Sequence, residues 1–131
     1  MIGLDTNILV RYFTEDDPVQ SRRAKDCIES RLTEDHPGFV SLVTIVELVW
    51  VLGGAYGMID GAIATVVERM LQATTLVLQS EQQVFEAMIA LKTSKGEFAD
   101  ALIGALASHA GCGSTLTLDK KAARLPTLQL L

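Results

Sequence analysis

Met1-Ile2-Gly3-Leu4-Asp5-Thr6-Asn7-Ile8-Leu9-Val10-Arg11 opens the chain and joins an apolar run to a helical stretch through an acid. Residues 1–5 form a short apolar run that ends on an acid, which reads as a buried strand. Thr6–Phe13 follows at once as a helical stretch, so a carboxylate stands at a strand-to-helix junction. In open α/β sheets the ligand site lies outside the carboxyl ends of the strands. Asp5 therefore marks the first place to look.

The pattern repeats outward from this stretch. Asp17-Pro18-Val19-Gln20 supplies an N-cap, a proline at the first helical position and a capping-box partner, which opens a polar helix to about Leu32. Pro37-Gly38 breaks the chain before a tiny strand, Phe39-Val40-Ser41. A strongly apolar helix runs from about Leu42 to Leu52 and is expected to stop at Gly53-Gly54. A helix near Ile59–Gln72, a strand at Thr75–Leu78, a helix near Glu81–Lys92 and a helix from about Gly96 to His109 come next, with Gly111 as C-cap. Ser114–Leu118 reads as another buried strand ending on Asp119, followed by a turn to Leu125 and an edge strand at Leu128–Leu131. Strands that are short, apolar on both faces and separated by helices imply a parallel sheet covered on both sides. The expected fold is α/β, a three-layer α/β/α arrangement with a short parallel sheet of four to five strands, in a single domain over residues 1–131.

The hydrophobic fraction is 49% and the mean hydropathy +0.31, yet no stretch approaches the roughly 18 to 20 uninterrupted apolar residues of a membrane span. The N-terminus lacks a basic and then apolar leader, and Cys27 and Cys112 form no metal-binding or disulfide pattern. A cytoplasmic location and no membrane partner are expected. The net charge of −5 speaks against a broad basic surface that holds nucleic acid, though not against cutting it, since bound cations offset acids where a phosphate approaches.

Five acids interrupt or end apolar segments: Asp5, Glu47 within Leu42–Leu52, Glu97 and Asp100 around Phe98-Ala99, and Asp119. Each has a structural reading. Asp5 and Asp119 suit N-caps, Glu47 suits a capping box with Thr44, and Glu97 suits the positive end of its helix. Asp100 shares a helical face with Glu97, and Gly104 one turn on lets backbone or ligand approach closely. Taken together, an ionised carboxylate is costly in apolar surroundings unless paired or bound to a cation, and a hard ion explains all five at once. Oxygen donors with few ligands suit Mg2+ or Mn2+. His36 and His109 lie in a polar loop and near a helix end, so zinc is not expected.

At this point the chain resembles the PIN-domain ribonucleases, most closely the toxins of VapBC-type toxin–antitoxin pairs. The matching pieces are residues 1–11, Glu47-Leu48-Val49-Trp50-Val51-Leu52, Phe98-Ala99-Asp100-Ala101-Leu102-Ile103, Gly111-Cys112 and Thr117-Leu118-Asp119-Lys120, in family order along essentially the whole chain. The resemblance implies a metal-dependent endoribonuclease in which Asp5, Asp100 and Asp119 hold the metal and Glu47 is a fourth catalytic acid that binds a second ion or orients water. Thr6 and Thr117 would support the cluster through their hydroxyls. Glu97 stands where many members have Asp, so it keeps the charge and serves as a supporting group. Cleavage would leave a 5′-phosphate and a 3′-hydroxyl. The implied partners are an RNA substrate, a cognate antitoxin and a second copy in a homodimer. Arg11 and Lys120, beside Lys121 and Arg124, are candidates for RNA contact, and Trp50, with Tyr12 and Phe13 as neighbours, for antitoxin contact.

Two other classes compete. A haloacid-dehalogenase-like phosphatase wants a second Asp two residues after the first, where this chain has Asn7, and a receiver domain wants an acid pair and a phosphoacceptor that are absent. The remaining alternative is a PIN module that binds RNA or protein without cleavage.

Overall fold

Short strands alternate with helices along the chain, and Asp5, Asp17 and Ser41 cap the starts of three of those helices. The computed structural model describes residues 1–131, which form two compact units, Met1–Glu81 and Gln82–Leu131. The first unit contains β1 (Ile2–Gly3), α1 (Thr6–Thr14), α2 (Pro18–Asp26), a π-helical turn (Cys27–Arg31), β2 (Gly38–Val40), α3 (Leu42–Gly54), α4 (Asp60–Gln72) and β3 (Leu76–Leu78). Its strands lie in the order β1-β2-β3 and are all parallel, with Ile2 opposite Gly38 and Gly38 opposite Leu76. Parallel neighbours need long crossovers, and the helices provide them. Gly38 at the centre of this sheet lets Leu4 and Leu32 pack closely, because a Cβ there would lie 2.8 Å from Leu4 Cδ1 and 2.9 Å from Leu32 Cδ1 and those side chains would have to shift.

Local capping sets the helix starts. Asp17 accepts from the Gln20 amide at 3.0 Å and Pro18 takes the first helical position, as the sequence predicts. The capping box does not close, because Gln20 Oε1 accepts from Arg11 Nε at 2.7 Å instead. Ser41 caps α3 by accepting from the Thr44 amide at 3.2 Å. Thr44 is thus inside the helix and cannot form the expected box with Glu47. The helix also continues through Gly53 and Gly54. Ile45, Leu48 and Leu52 on one face of α3 are fully buried, whereas Val43 and Trp50 on the other are 78% and 76% exposed.

The second unit contains α5 (Glu81–Lys92), which begins at the division, then α6 (Phe98–His109), β4 (Thr115–Thr117), a 3-10 turn (Ala122–Arg124) and β5 (Leu128–Leu130). α6 ends as the sequence predicts. Gly111 has φ +103°, its amide donates to Ser108 and the Cys112 amide to Ala107, each at 3.0 Å, which is the hydrogen-bond pair of a Schellman cap. β4 and β5 pair in parallel, Thr115 opposite Leu128. Gly104 is buried because the chain's own residues come close. A Cβ there would collide with Thr127, and Leu128 Cδ1 would lie 2.7 Å away.

All five expected strands are present and parallel, hydrogen-bonded as a set of three and a set of two. Within the expected α/β class, burial along the strands is uneven: Val40, Leu78 and Leu128 are buried. Ile2, Val77, Leu116 and Leu130 are exposed, as is Leu118 just after β4. Strands of two or three residues expose the alternate side of the pleat wherever no helix lies over it. No helix of the structure is long and apolar enough to cross a membrane.

Candidate functional site

Asp5 follows β1 and occupies the N-cap of α1, with extended backbone and Oδ1 accepting the Thr6 amide at 2.8 Å. Asp119 follows β4 in the same way. Its Oδ1 accepts the amides of Lys121 at 2.8 Å and Ala122 at 3.3 Å, ahead of the 3-10 turn whose N-cap is Lys121. The N-cap reading therefore holds for Asp5, while Asp119 braces the turn from two residues before its cap. Both acids use only one carboxylate oxygen, and Oδ2 of each enters no hydrogen bond. Thr117 Oγ1 accepts from the Asp119 amide at 3.1 Å, so its hydroxyl oxygen orders the backbone that carries the acid. Thr6 is buried and engages Asp5 through its amide.

Glu97 is the N-cap residue of α6 by backbone, its carbonyl accepting from the Ala101 amide at 3.0 Å, but its side chain makes no capping bond. Asp100 lies in the first turn of the same helix, half-buried and without a hydrogen bond or ion pair. Both stand at the end where the helix dipole favours negative charge. Glu47 is exposed on α3 between Val43 and Trp50, on the face opposite the buried Ile45 and Leu48.

Asp5 and Glu47 belong to one unit, and Glu97, Asp100 and Asp119 to the other. Neither unit by itself gathers three or more Asp, Glu, His or Cys side chains into a metal-holding group. Asp5, Glu47, Glu97 and Asp119 are exposed. The desolvation argument that singled them out in the sequence thus fails for these four. Leu4, Leu48 and Phe98 beside three of them are buried, because side chains turn through about 100° per helical residue and alternate along a strand, whereas Leu118 beside Asp119 is exposed as well.

The candidate cations differ. Lys120, Lys121 and Arg124 are exposed. Arg11 is held within its own unit: Nη1 donates to Asp16 at 2.9 and 3.1 Å and to the Tyr56 hydroxyl at 3.1 Å, alongside the Nε bond to Gln20. Burial opposes the Arg11 charge, but Asp16 and Tyr56 outweigh it and raise the guanidinium pKa. Asp16 itself sits below the usual carboxylate range, chiefly because the Tyr56 hydroxyl donates to it at 2.6 Å, with Thr14 and Arg11 adding to the effect against some burial. Tyr12 and Phe13 pack edge to face with centroids 5.0 Å apart, and Arg69 lies 5.3 Å from the Phe13 ring. Burial pushes the Tyr12 pKa up, reinforced by its 2.9 Å hydrogen bond to Glu29. Asp16 and Tyr56, the partners of Arg11, are not evident as such from the sequence. The cluster Thr14-Glu15-Asp16-Asp17 hints at the first, and nothing local indicates a residue 45 positions away.

The family model of the PIN domain matches residues 2–128, spanning both units. The chain is a PIN domain. Its α/β class, with six helices and parallel strands, is that of the family. A search of curated proteins found no match. The PIN fold is a nuclease-type fold, and PIN domains usually bind divalent metal ions. The donor chemistry fits such an ion. The candidate acids of this PIN domain offer hard carboxylate oxygens, with Oδ2 of Asp5 and Asp119 and the whole carboxylates of Glu97 and Asp100 uncommitted to protein hydrogen bonds.

Proposed function

We propose that this PIN domain is a Mg2+- or Mn2+-dependent endoribonuclease and acts as the toxin of a VapBC-type toxin–antitoxin pair. The observation that carries the reading is the family match over residues 2–128, and the acids Asp5, Glu47, Asp100 and Asp119 within that span are assigned to the site by the resemblance of their surrounding sequence. Asp5, Asp100 and Asp119 are the proposed metal ligands, Glu47 the fourth acid and Glu97 a supporting charge. A bound divalent ion supplies activation of water and offsets charge on the scissile phosphate.

The chain's own residues do the positioning. The Thr6 amide fixes Asp5 Oδ1 and the Lys121 amide fixes Asp119 Oδ1, so each carboxylate is held by the turn that follows it while Oδ2 remains available. Asp100 has no such anchor: it lies in the first turn of α6 and its carboxylate enters no hydrogen bond with the protein. The exposed face carrying Val43, Glu47 and Trp50 is the proposed antitoxin surface, a homodimer is the proposed assembly, and the cytoplasm the proposed location.

The decisive experiment incubates the purified chain with labelled RNA in Mg2+, in Mn2+ and in EDTA. Cleavage with either metal, abolished by EDTA and by Asp100→Asn, is expected. RNA binding with no cleavage under any condition would leave a non-catalytic PIN module. Induction in a bacterial host tests the toxin role, with arrest expected for the wild type and normal growth for Asp5→Asn. Harmless expression of a protein that cuts RNA in vitro would remove the toxin assignment and leave the nuclease.

A further inference from the structure

α1 and α2, together with the π-helical turn, enclose a cleft of about 660 Å³ within the first unit. Asn7 and Arg11 line it from α1, one helical turn apart. Gln20, Arg23 and Arg31 line it from α2 and the turn, with Ile8 and Ala24 adding apolar floor. Three arginines and one acid, Asp26, make this lining positive in a chain whose net charge is −5.

These arginines are unequal, and the inequality is informative. Arg11 is fixed by Gln20, Asp16 and Tyr56 through Nε and Nη1, which leaves Nη2 without a hydrogen bond. Arg23 and Arg31 are exposed and enter no ion pair or hydrogen bond. Eight residues separate them, roughly 12 Å along a helix, so their charges are spread along the groove rather than focused on one point. A chain of phosphates can engage both ends of such a groove at once. Arginine forks and carboxamides are the side chains that hold phosphate and sugar oxygens. The cleft also begins at Asn7, two residues beyond Asp5.

We propose that the α1–α2 cleft binds the sugar-phosphate backbone of single-stranded RNA next to the bond that is cut, with Arg23 and Arg31 on successive phosphates and Arg11 as a preset fork. This rests on the nuclease reading for the meaning of Asp5, and not for the binding itself. Recognition is through phosphates, so affinity is insensitive to base sequence and falls steeply with salt.

The test uses the full chain in EDTA, which prevents cleavage, and a fluorescently labelled single-stranded RNA titrated over a range of salt concentrations. R23Q/R31Q is compared with R22Q/K25Q, which removes the same charge from exposed α2 positions outside the cleft. The cleft double variant is expected to bind at least about tenfold more weakly and to reduce the salt slope by about 1.4, two single-strand phosphate contacts. The control should stay close to wild type. Equal losses in both double variants overturn the cleft as the site. Displacement of the RNA by a polyglutamate peptide as effectively as by unlabelled RNA also overturns the proposal, in favour of an acidic protein segment as occupant. Cleavage assays in Mg2+ or Mn2+ separate the two readings. Arginine-dependent binding without any metal-dependent cleavage supports the groove and sinks the nuclease. Cleavage by R23Q/R31Q with unchanged KM sinks the groove and leaves the nuclease.

Discussion

Asp16, in the first unit, and the turn bearing Glu97 and Asp100, in the second, both place carboxylates near a helix end, and they treat them in opposite ways. Asp16 receives the Arg11 guanidinium, the Thr14 hydroxyl and the Tyr56 hydroxyl, and its pKa is lowered as a result. Glu97 and Asp100 receive no donor from the protein. A carboxylate whose lone pairs are filled by its own chain is a structural element, while one whose oxygens are uncommitted keeps its coordination capacity for something from outside. Asp5 and Asp119 stand between these extremes, each spending one oxygen on backbone amides.

The largest expected effect breaks the comparison if it fails. Asp100→Asn should lower metal-dependent RNA cleavage by more than about 100-fold, beyond what an outer-shell change typically costs, while Asp16→Asn should leave kcat almost unchanged. Single-turnover assays on labelled RNA measure both. Equal losses would mean that the donor count around a carboxylate says nothing of its role.

Metal response comes next. Mg2+ or Mn2+ at about 100 times its dissociation constant stabilises a folded state by about 2.7 kcal/mol. That rise in melting temperature should appear in the wild type and in Asp16→Asn, and be largely lost in Asp100→Asn. An undiminished rise in Asp100→Asn would remove it from the ligand set. Glu97→Gln should fall at or within the roughly 10- to 100-fold loss of a supporting group. A loss as complete as that of Asp100→Asn would place Glu97 on the metal.

Asp5 tests the intermediate case, because its two oxygens have separate tasks. Asp5→Ala should cost about 1 kcal/mol of stability in denaturant melts through the lost cap, while Asp5→Asn, itself a good cap, should cost far less. Cleavage should be lost in both. Comparable destabilisation by Asn and Ala would show that the charge, not the cap, holds the turn.

The smallest effect concerns pH. Asp16 has a folded-state pKa below its ordinary value of 3.8, so its contribution is present above that value and disappears as pH falls through the lower folded one. The stability gap between wild type and Asp16→Asn should be steady near neutrality and close below about pH 4. A gap that persists well into the acid range would locate the effect in packing rather than charge.

Helix and strand order was legible because its causes are local. Proline at position 18, the aspartate caps at Asp5 and Asp17, and Gly111 act within one turn of chain, and α1, α2 and the end of α6 lie where those signals put them. The errors follow from competition. Gln20 left its expected capping box for Arg11, and Ser41 displaced Thr44 as cap, because several donors and acceptors of equal local merit were available. The inference that acids in apolar segments are buried failed for a related reason. Sequence adjacency does not say which way a side chain turns, and Glu47 faces outward from a helix whose Ile45 and Leu48 are fully buried.

By itself, then, the sequence determined the element order, the strand-end positions of Asp5 and Asp119, and membership of the PIN family, since all three reside in short motifs read in order along the chain. Only the tertiary structure decided that Arg11 joins Tyr56 across 45 residues, that the strands pair as three and two, and that arginines from α2 and the π-helical turn share a cleft with Asn7. Those outcomes depend on which faces pack together, a choice made by burial of distant apolar residues and therefore invisible to any window of local sequence.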